Sequence, residues 1–153
     1  MREILFKAKR IDNGEWVEGY VFNDGFVDSK RMFVGGLVIM DYKGTADDRW
    51  DVGTAFYEVE PDTICQYTGL TDKNGNKIWE NDVVCTPYVD PVFGNMVNDE
   101  ILDDYTWKVV FVDGGFCVEN EDKIINLRSF TNGNHIKAIS NIFDNPELLK
   151  GER

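Results

Sequence analysis

Turn residues divide the chain into short apolar segments, and no stretch has the 3.6-residue periodicity of an amphipathic helix. The 14 glycines lie mostly at the turns between these segments. Asn13-Gly14 is the clearest turn, because both residues tolerate a positive φ and such a pair favours a tight β-hairpin. Many short strands joined by tight turns are typical of all-β folds. The pattern therefore favours a β-barrel or roll over a helix bundle or a βαβ fold.

Alternating and apolar runs predict the positions of the strands. The first three form an antiparallel meander, and a loop is predicted at 43–53. A longer acidic connection is predicted at 87–104, and a last helical turn at 145–149, where Pro146 occupies the first helical position. The predicted strands are 2–11, 15–22, 32–42, 56–59, 64–67, 78–79, 83–86, 107–112, 116–118 and 135–143.

The charge of the chain restricts its partners. With 28 acidic and 16 basic residues, the formal net charge is -12, which discourages binding to nucleic acid and to anionic lipid. Along the sequence the aromatic residues are interleaved with acids, so a base-stacking platform and direct nucleic-acid binding are not expected. Hydrophobic residues make up 42% of the chain, enough for a core. We expect a protein partner or self-association.

Three features indicate a cytoplasmic location. The first ten residues lack the apolar region of a signal peptide. No apolar run approaches the roughly 20 residues that span a bilayer, so no membrane association is expected. The cysteines, Cys65, Cys85 and Cys117, are odd in number and widely spaced, which indicates reduced thiols rather than a disulfide framework.

The sequence predicts no catalytic residue, metal site or cofactor. His135 is the sole histidine and cannot build a His-rich zinc site, and the cysteines lack CxxC spacing. No P-loop, GxGxxG or GxSxG motif is present. Adjacent carboxylates such as Asp103 and Asp104 are expected by chance among 28 acids. A hydrolytic carboxylate pair, or a Cys site, remains as an alternative.

Residues 72–77, DKNGNK, carry oxygen side chains at alternate positions, as a calcium loop does. The detail differs from an EF-hand, because glycine is at the fourth position and Val83 occupies the twelfth, where a bidentate glutamate is required. The segment is therefore predicted to be a tight turn.

The most specific segment is residues 66–84, which read QYTGLTDKNGNKIWENDVV. The chain also begins MREILF, has GEWVEGY at 14–20, and has ISNIFDNPELL at 139–149. Together these blocks resemble the YopX-like family, small proteins of bacteriophages, prophages and mobile elements. The resemblance implies a β-rich fold with an SH3-like barrel or roll in the part that holds the signature. It implies no activity, because the family has none assigned and offers no catalytic residues.

With this resemblance, the chain divides into a β meander at 1–60 and an SH3-type region at 61–153. The acidic 87–104 stretch is longer than the resemblance leads one to expect. We predict that the signature is mainly structural, with glycines at positive φ, Asx-type turns and apolar anchors. The alternative is a loop that binds a partner. The signature residues in question are Gln66, Tyr67, Gly69, Asp72, Asn74, Gly75, Trp79, Glu80 and Asp82.

Three functions are compatible with these observations. The leading hypothesis is a phage- or prophage-derived accessory protein that has no catalytic activity and binds another protein. A second is an acidic decoy that imitates nucleic acid and occupies a basic protein. A third is an enzyme with an unrecognised carboxylate or Cys site.

Overall fold

The computed structural model describes residues 3–41, 50–90, 92–121 and 123–150. The chain forms two compact units, Ile4–Gln66 and the residues from Tyr67 onward. Strands account for more than half of the described residues, and the only helices among them are short 3₁₀ segments. No helix in this described part has the length and hydropathy of a membrane span.

The first unit is an antiparallel meander with the strand order β4-β3-β2-β1-β5. A 3₁₀ turn precedes β5, which begins in this unit and pairs with β1 through Cys65 and Gln66. The elements are β1 (Phe6–Lys9), β2 (Trp16–Asn23), β3 (Met32–Asp41), β4 (Trp50–Val59), the 3₁₀ turn Pro61–Thr63 and β5 (Cys65–Thr71).

Side chains that alternate along β2 place two valines in the core of the first unit. Val17 and Val21 point to one face, where they pack against three residues without solvent exposure, Ala8, Val34 and Val59. Because side chains alternate along a strand, Trp16, Glu18, Tyr20 and Phe22 lie on the opposite face.

The second unit contains the later residues of β5, which pair with β6, and an antiparallel sheet with the order β10-β9-β8-β7-β11. Two further 3₁₀ segments follow β10 and β11. The elements are β6 (Lys77–Trp79), β7 (Asp82–Val89), β8 (Met96–Val112), β9 (Gly115–Glu119), β10 (Ile124–Asn126), Leu127–Gly133, β11 (Lys137–Asn141) and Pro146–Lys150.

Trp107 lies in the core of the second unit and has no solvent exposure. Its indole Nε1 donates a hydrogen bond to Oγ1 of Thr86 at 2.8 Å, so the buried polar atom is satisfied. The other fully buried or nearly buried apolar residues of this core are Ile78, Val84, Val89, Val109, Val118, Leu127, Phe130 and Ile136.

The prediction of a mainly β fold is confirmed. Both strand orders are open, so the described residues do not form a closed barrel, and the SH3-like assignment stays a prediction. The boundary between the units falls between Gln66 and Tyr67, inside β5, whereas sequence analysis puts it at residue 60.

Two predicted connections are wrong in part. The acidic 87–104 stretch is a hairpin rather than a loop, since Pro87 pairs with Ile101 and Val89 with Met96. Shifts in register on both sides of Pro87 break the alternation that identifies strands in a sequence. The predicted 43–53 loop overlaps β4, which begins at Trp50, and its remaining positions lie outside the described residues. Strand β10 and the 3₁₀ segment after it were not predicted.

Candidate functional site

The carboxylate of Asp72 lies at the centre of the signature turn and is almost fully buried. Its Oδ1 accepts hydrogen bonds from the backbone N–H groups of Asn74 and Asn76, each at 2.9 Å. Its Oδ2 accepts a hydrogen bond from the backbone N–H of Ala138 in β11 at 3.0 Å. Gly75 closes the turn at φ 83°, and its N–H donates to the carbonyl of Asp72 at 3.0 Å. The carboxylate thus stabilises the turn and attaches it to β11.

A second turn joins β6 to β7, and its carboxylate has a similar role. Asp82 is 4% exposed, and its Oδ2 accepts a hydrogen bond from the backbone N–H of Trp79 at 2.9 Å. Asn81 adopts φ 68°, and its N–H donates to the carbonyl of Val109 at 2.8 Å. The ring of Trp79 is 5% exposed and lies 5.5 Å from the ring of Tyr67, between centroids. The signature therefore contributes aromatic packing as well as turn geometry.

The other signature residues are dispersed. Gly69 adopts φ 85° within β5, and Gln66 pairs with Phe6 of β1. Asn74 is exposed at the tip of its turn, and Glu80 is half-buried after β6. The signature residues brought together by hydrogen bonds are thus two groups, one around Asp72 and one around Asp82.

The three cysteines are free, and Cys65 and Cys85 are buried. Burial raises the pKa of the Cys85 thiol, and the negative charge of Asp103 raises it further. Burial also raises the pKa of Cys117. Because the thiolate is the nucleophile, the raised pKa values of Cys85 and Cys117 lower the share of the reactive form at neutral pH.

His135 lies beside an acidic strand, with Nε2 3.4 Å from Oδ1 of Asp99 in β8. Asp99 is 87% exposed, so this pair is at the surface. Among the described residues, no group of three or more His, Cys, Asp or Glu side chains is arranged to hold a metal ion. At the first position of the calcium-like spacing at 72–77, both oxygens of Asp72 accept backbone hydrogen bonds.

The outer face of the first unit, opposite its core, is aromatic and exposed. Tyr20 is 58% exposed, and Phe22 and Phe56 are 41% and 43% exposed. The rings of Phe22 and Phe56 meet edge to face, with centroids 5.0 Å apart. The cross-strand pairs Tyr20↔Gly35, Phe22↔Phe33 and Gly35↔Phe56 place these residues on one side of the sheet. We call the set Trp16, Tyr20, Phe22, Phe33 and Phe56 the aromatic face.

Cations lie over two rings of the aromatic face. The ammonium groups of Lys7 and Lys9 are 4.7 Å and 5.4 Å from the ring centroid of Trp16. The guanidinium of Arg31 is 5.2 Å from the ring of Phe33 and donates two hydrogen bonds to the carboxylate of Glu58, at 2.9 and 3.0 Å. In sequence the aromatics alternate with acids, but in space three cations lie among them.

A groove of about 530 Å³ opens between β2 and β3 next to their last cross-strand pair, Tyr20↔Gly35, and residues from both faces of the sheet line it. Gly19, Gly35 and Gly36 leave backbone in its wall. Gly35 has no room for a side chain, because a Cβ there would collide with the carbonyl oxygen of Ala55 in β4. The guanidinium of Arg10 stacks on Tyr57 at 3.9 Å from the ring centroid. The groove is lined by Val17, Glu18, Gly19, Tyr20, Gly35, Gly36, Ala55 and Tyr57.

A turn in the second unit, between β7 and β8, exposes apolar side chains. Val92 and Phe93 are 78% and 77% exposed. Oδ1 of Asp90 accepts hydrogen bonds from the backbone N–H groups of Val92 and Phe93, at 2.7 and 2.9 Å. These two bonds lower the pKa of Asp90. The N–H of Gly94, at φ 67°, donates to the carbonyl of Asp90 at 2.9 Å. We call this feature the apolar turn.

Comparison with known proteins identifies the family. The family model described as YopX protein matches residues 5–150, nearly the whole chain. The chain belongs to the YopX family.

A solved structure has the same overall fold as this YopX-family protein. The crystal structure of protein EF1440 from Enterococcus faecalis superposes with a TM-score of 0.59 and 23% sequence identity. The alignment covers 97% of this chain and 99% of that chain. At this identity the likeness is one of fold alone. No curated protein matches the chain.

Sequence analysis of this YopX-family chain missed the aromatic face and the apolar turn. A signal for the first was present, because β2 is apolar on both faces, with Val17 and Val21 alternating with Tyr20 and Phe22. A strand that packs on one core normally has a polar outer face. Sequence analysis missed the apolar turn because the acidic residues around it predict a solvent-exposed connection over the whole 87–104 stretch.

Proposed function

We propose that this YopX-family protein is a non-catalytic protein-binding module and that it binds through the aromatic face of its first unit. The observation that carries the proposal is that three aromatic residues, Tyr20, Phe22 and Phe56, are exposed on the face of the sheet opposite the core that contains Ala8, Val34 and Val59. Because these rings lie on the face opposite the core, packing of the core does not explain why large apolar side chains occur there. Contiguous exposed apolar patches mark interaction sites in soluble proteins.

The chemistry of the face favours a protein partner with apolar side chains on its surface. Tyrosine, tryptophan and arginine supply much of the binding energy in protein interfaces. Trp16 and Tyr20 are such residues, and both lie on the aromatic face. A partner that places apolar side chains against the rings would match this feature.

The biological setting belongs to the same proposal. Family membership supports an accessory role in a phage or prophage, and three free cysteines support a cytoplasmic location. The SH3-like relationship of the second unit is likewise part of the proposal and rests on the family resemblance.

The two alternative functions have less support. A decoy that imitates nucleic acid needs carboxylates in unneutralised rows, but Asp103 accepts a hydrogen bond from Lys137 at 2.9 Å. An enzyme needs convergent reactive groups, and the cysteines with raised pKa values, Cys85 and Cys117, are poor nucleophiles.

The test compares capture of partners by matched variants. The protein and a face variant, Tyr20→Ser with Phe56→Ser, serve as baits in cells that carry the phage or prophage. The control variant, Phe111→Ser with Ile124→Ser, removes exposed apolar groups of similar exposure from the second unit. We expect to capture a protein that binds the parent and the control variant but not the face variant. Once purified, that protein should bind the parent and the control variant more tightly than the face variant. Equal capture by the face variant would reject the proposed surface.

A further inference from the structure

Strand β4 forms one edge of the sheet in the first unit. It pairs with β3 along its whole length, and the strand order ends at β4. Its last two residues are also covered on the other side, because the N–H of Ile11 donates a hydrogen bond to the carbonyl of Glu58 at 3.0 Å and Arg10 forms a bridge with Val59. Within the part of the chain that the structure describes, no strand pairs with the outer side of residues 50–57.

The backbone groups of this edge point outward in alternation. In an antiparallel strand the N–H and C=O of one residue point to the same side, and those of the next residue point to the opposite side. The carbonyl of Glu58 points away from β3, toward Ile11, whereas that of Ala55 points toward β3, where a Cβ on Gly35 would collide with it. The residues with outward N–H and C=O groups are therefore Trp50, Val52, Thr54 and Phe56. Such a row of donors and acceptors is matched by another extended strand.

The second unit has uncovered strands as well, but they carry features that prevent pairing. Strand β11 pairs with β7 only as far as Cys85, and β9 pairs with β8 only from Lys108 onward, so the far part of the β7–β8 hairpin has two outer sides without a neighbour among the described strands. Pro87 has no N–H to donate there, and shifts in register flank it. Charged residues, proline and such irregularities block the addition of a strand. The exposed acids of this hairpin are Asp99, Glu100, Asp103 and Asp104.

The open part of β4 lacks these features. Residues 50–57 read WDVGTAFY, with no proline, no lysine and a single charged residue, Asp51. The pairing of β4 with β3 has no shift in register. Phe56 and Tyr57 alternate along the strand and are both exposed, so a neighbouring strand would cover apolar side chains on both faces. The chain thus protects the edges of the β7–β8 hairpin and leaves the β4 edge available.

We infer that this edge is a dimer interface, in which β4 of one copy pairs antiparallel with β4 of a second copy and joins the two sheets. A strand placed antiparallel to itself about a two-fold axis meets outward N–H groups with outward C=O groups, so the chain supplies its own complement. Only Asp51 brings charge to the open edge, which limits repulsion between copies that each carry a net charge of -12. The contact uses the same surface twice and closes on itself, so assembly stops at two copies.

Sedimentation equilibrium at about 150 mM salt tests this inference, because the Debye length is then about 8 Å and the net charge of each copy is largely screened. The parent should approach twice its mass of 17.6 kDa as its concentration rises, and return to a monomer on dilution. Thr54→Pro removes an outward N–H without removing a bond to β3, so this variant should remain monomeric. Thr54→Ser keeps the N–H and should dimerise like the parent, and circular dichroism compares the fold of each variant with that of the parent.

Amide hydrogen exchange on the parent locates the interface without any substitution. Dilution from dimer to monomer should remove protection at Val52, Thr54 and Phe56, while the amides of Ala55 and Tyr57, which face β3, stay protected. A parent that is monomeric at every soluble concentration, or that assembles beyond two copies, overturns the inference. A dimer whose outward amides exchange as they do in the monomer overturns it too, as does a folded Thr54→Pro variant that dimerises like the parent. The inference goes beyond the proposed function, because it depends on backbone groups at the sheet edge rather than on the exposed rings.

Discussion

The signature turn and the aromatic face use their side chains in opposite ways. In the signature turn both carboxylate oxygens of Asp72 accept hydrogen bonds from the protein itself, and Trp79 is almost fully buried. On the aromatic face, Tyr20, Phe22 and Phe56 leave large apolar areas in contact with water. A specific sequence motif can therefore lie largely in the interior of the fold, while a large exposed aromatic surface carries no recognisable motif. Mutations should separate the two regions, since the first should affect stability and the second should affect association.

The largest effect is expected at Trp79. Replacement by alanine removes a side chain that is 5% exposed and stacked near Tyr67, leaving a cavity in the second unit. Trp79→Ala should lower the free energy of unfolding by about 3–5 kcal/mol, measured by urea denaturation. Because small domains are stable by only about 5–15 kcal/mol, a large unfolded fraction is also expected on warming. A variant that melts like the parent would show that the signature is not structural.

Asp72 should have the next largest effect. Asp72→Ala removes the acceptor of three backbone N–H groups, including that of Ala138 in β11. Since a buried donor without a partner costs about 1–3 kcal/mol, we expect a loss of about 3 kcal/mol in urea denaturation. Asp72→Asn is the matched control, because its carbonyl oxygen can still accept the bonds from Asn74 and Asn76. If alanine and asparagine behave alike and cost nothing, the hydrogen bonds do not stabilise the fold.

Gly75 should have an intermediate effect. Its φ of 83° lies in the left-handed region, and no atom lies within 4 Å of an added Cβ, so strain rather than collision limits substitution. Gly75→Val should cost about 1–2 kcal/mol in thermal or urea unfolding. Asparagine tolerates positive φ, so Gly75→Asn should cost less. A larger loss for asparagine than for valine would contradict the strain argument.

The exposed ring of Tyr20 should matter little to stability. Tyr20→Ser removes a side chain that is 58% exposed and lies outside the core, so the free energy of unfolding should change by no more than about 0.5 kcal/mol. The measurement is the urea midpoint of the variant against that of the parent. A loss comparable to that of Trp79→Ala would show that the aromatic face is part of the folding core, which would remove the contrast between the two regions.

The smallest effect is a local dependence on pH in the apolar turn. Hydrogen bonds from Phe93 and Val92 lower the pKa of Asp90 below its value in the unfolded chain. A depressed pKa stabilises the fold above the unfolded value of about 4, and this contribution is lost as the pH falls through the lower folded value. The protection of the Phe93 amide against exchange, relative to an unstructured peptide at the same pH, should therefore fall in that acidic window. Asp90→Asn retains an oxygen acceptor but cannot titrate, so its exchange should lack this step.

Local signals predicted most of the strands, because alternation and turn residues act over a few positions. The hairpin at Asn13-Gly14 and the strand from Met32 are examples in which pattern and structure agree. The β7–β8 hairpin was missed because Pro87 and two shifts in register interrupt its alternation. Pairing across a shifted register depends on the partner strand, which a local pattern does not contain.

The candidate surfaces were harder to predict than the strands. Two features of the signature turn follow from residue types known to form turns: the hydrogen bonds that the Asp72 carboxylate accepts, and the positive φ of Gly75. Exposure, however, depends on which face of a strand the rest of the chain covers. Tyr20 and Val21 look equally apolar in sequence, yet only Val21 packs against the core of the first unit. The lysines over Trp16 belong to a neighbouring strand, β1, so only the structure shows that they lie close to the ring.

The division of the molecule within β5 affects how the protein could be cut into parts. Cys65 and Gln66 pair with β1, whereas Tyr67 and Thr71 of the same strand pair with β6. No linker separates the two units at this point, so a protease has no flexible connection to cleave there. Expression of residues 1–66 and 67–153 as separate polypeptides would give each a fragment of one strand and an unpaired edge. The practical route to studying either region alone is therefore substitution in the intact chain rather than truncation.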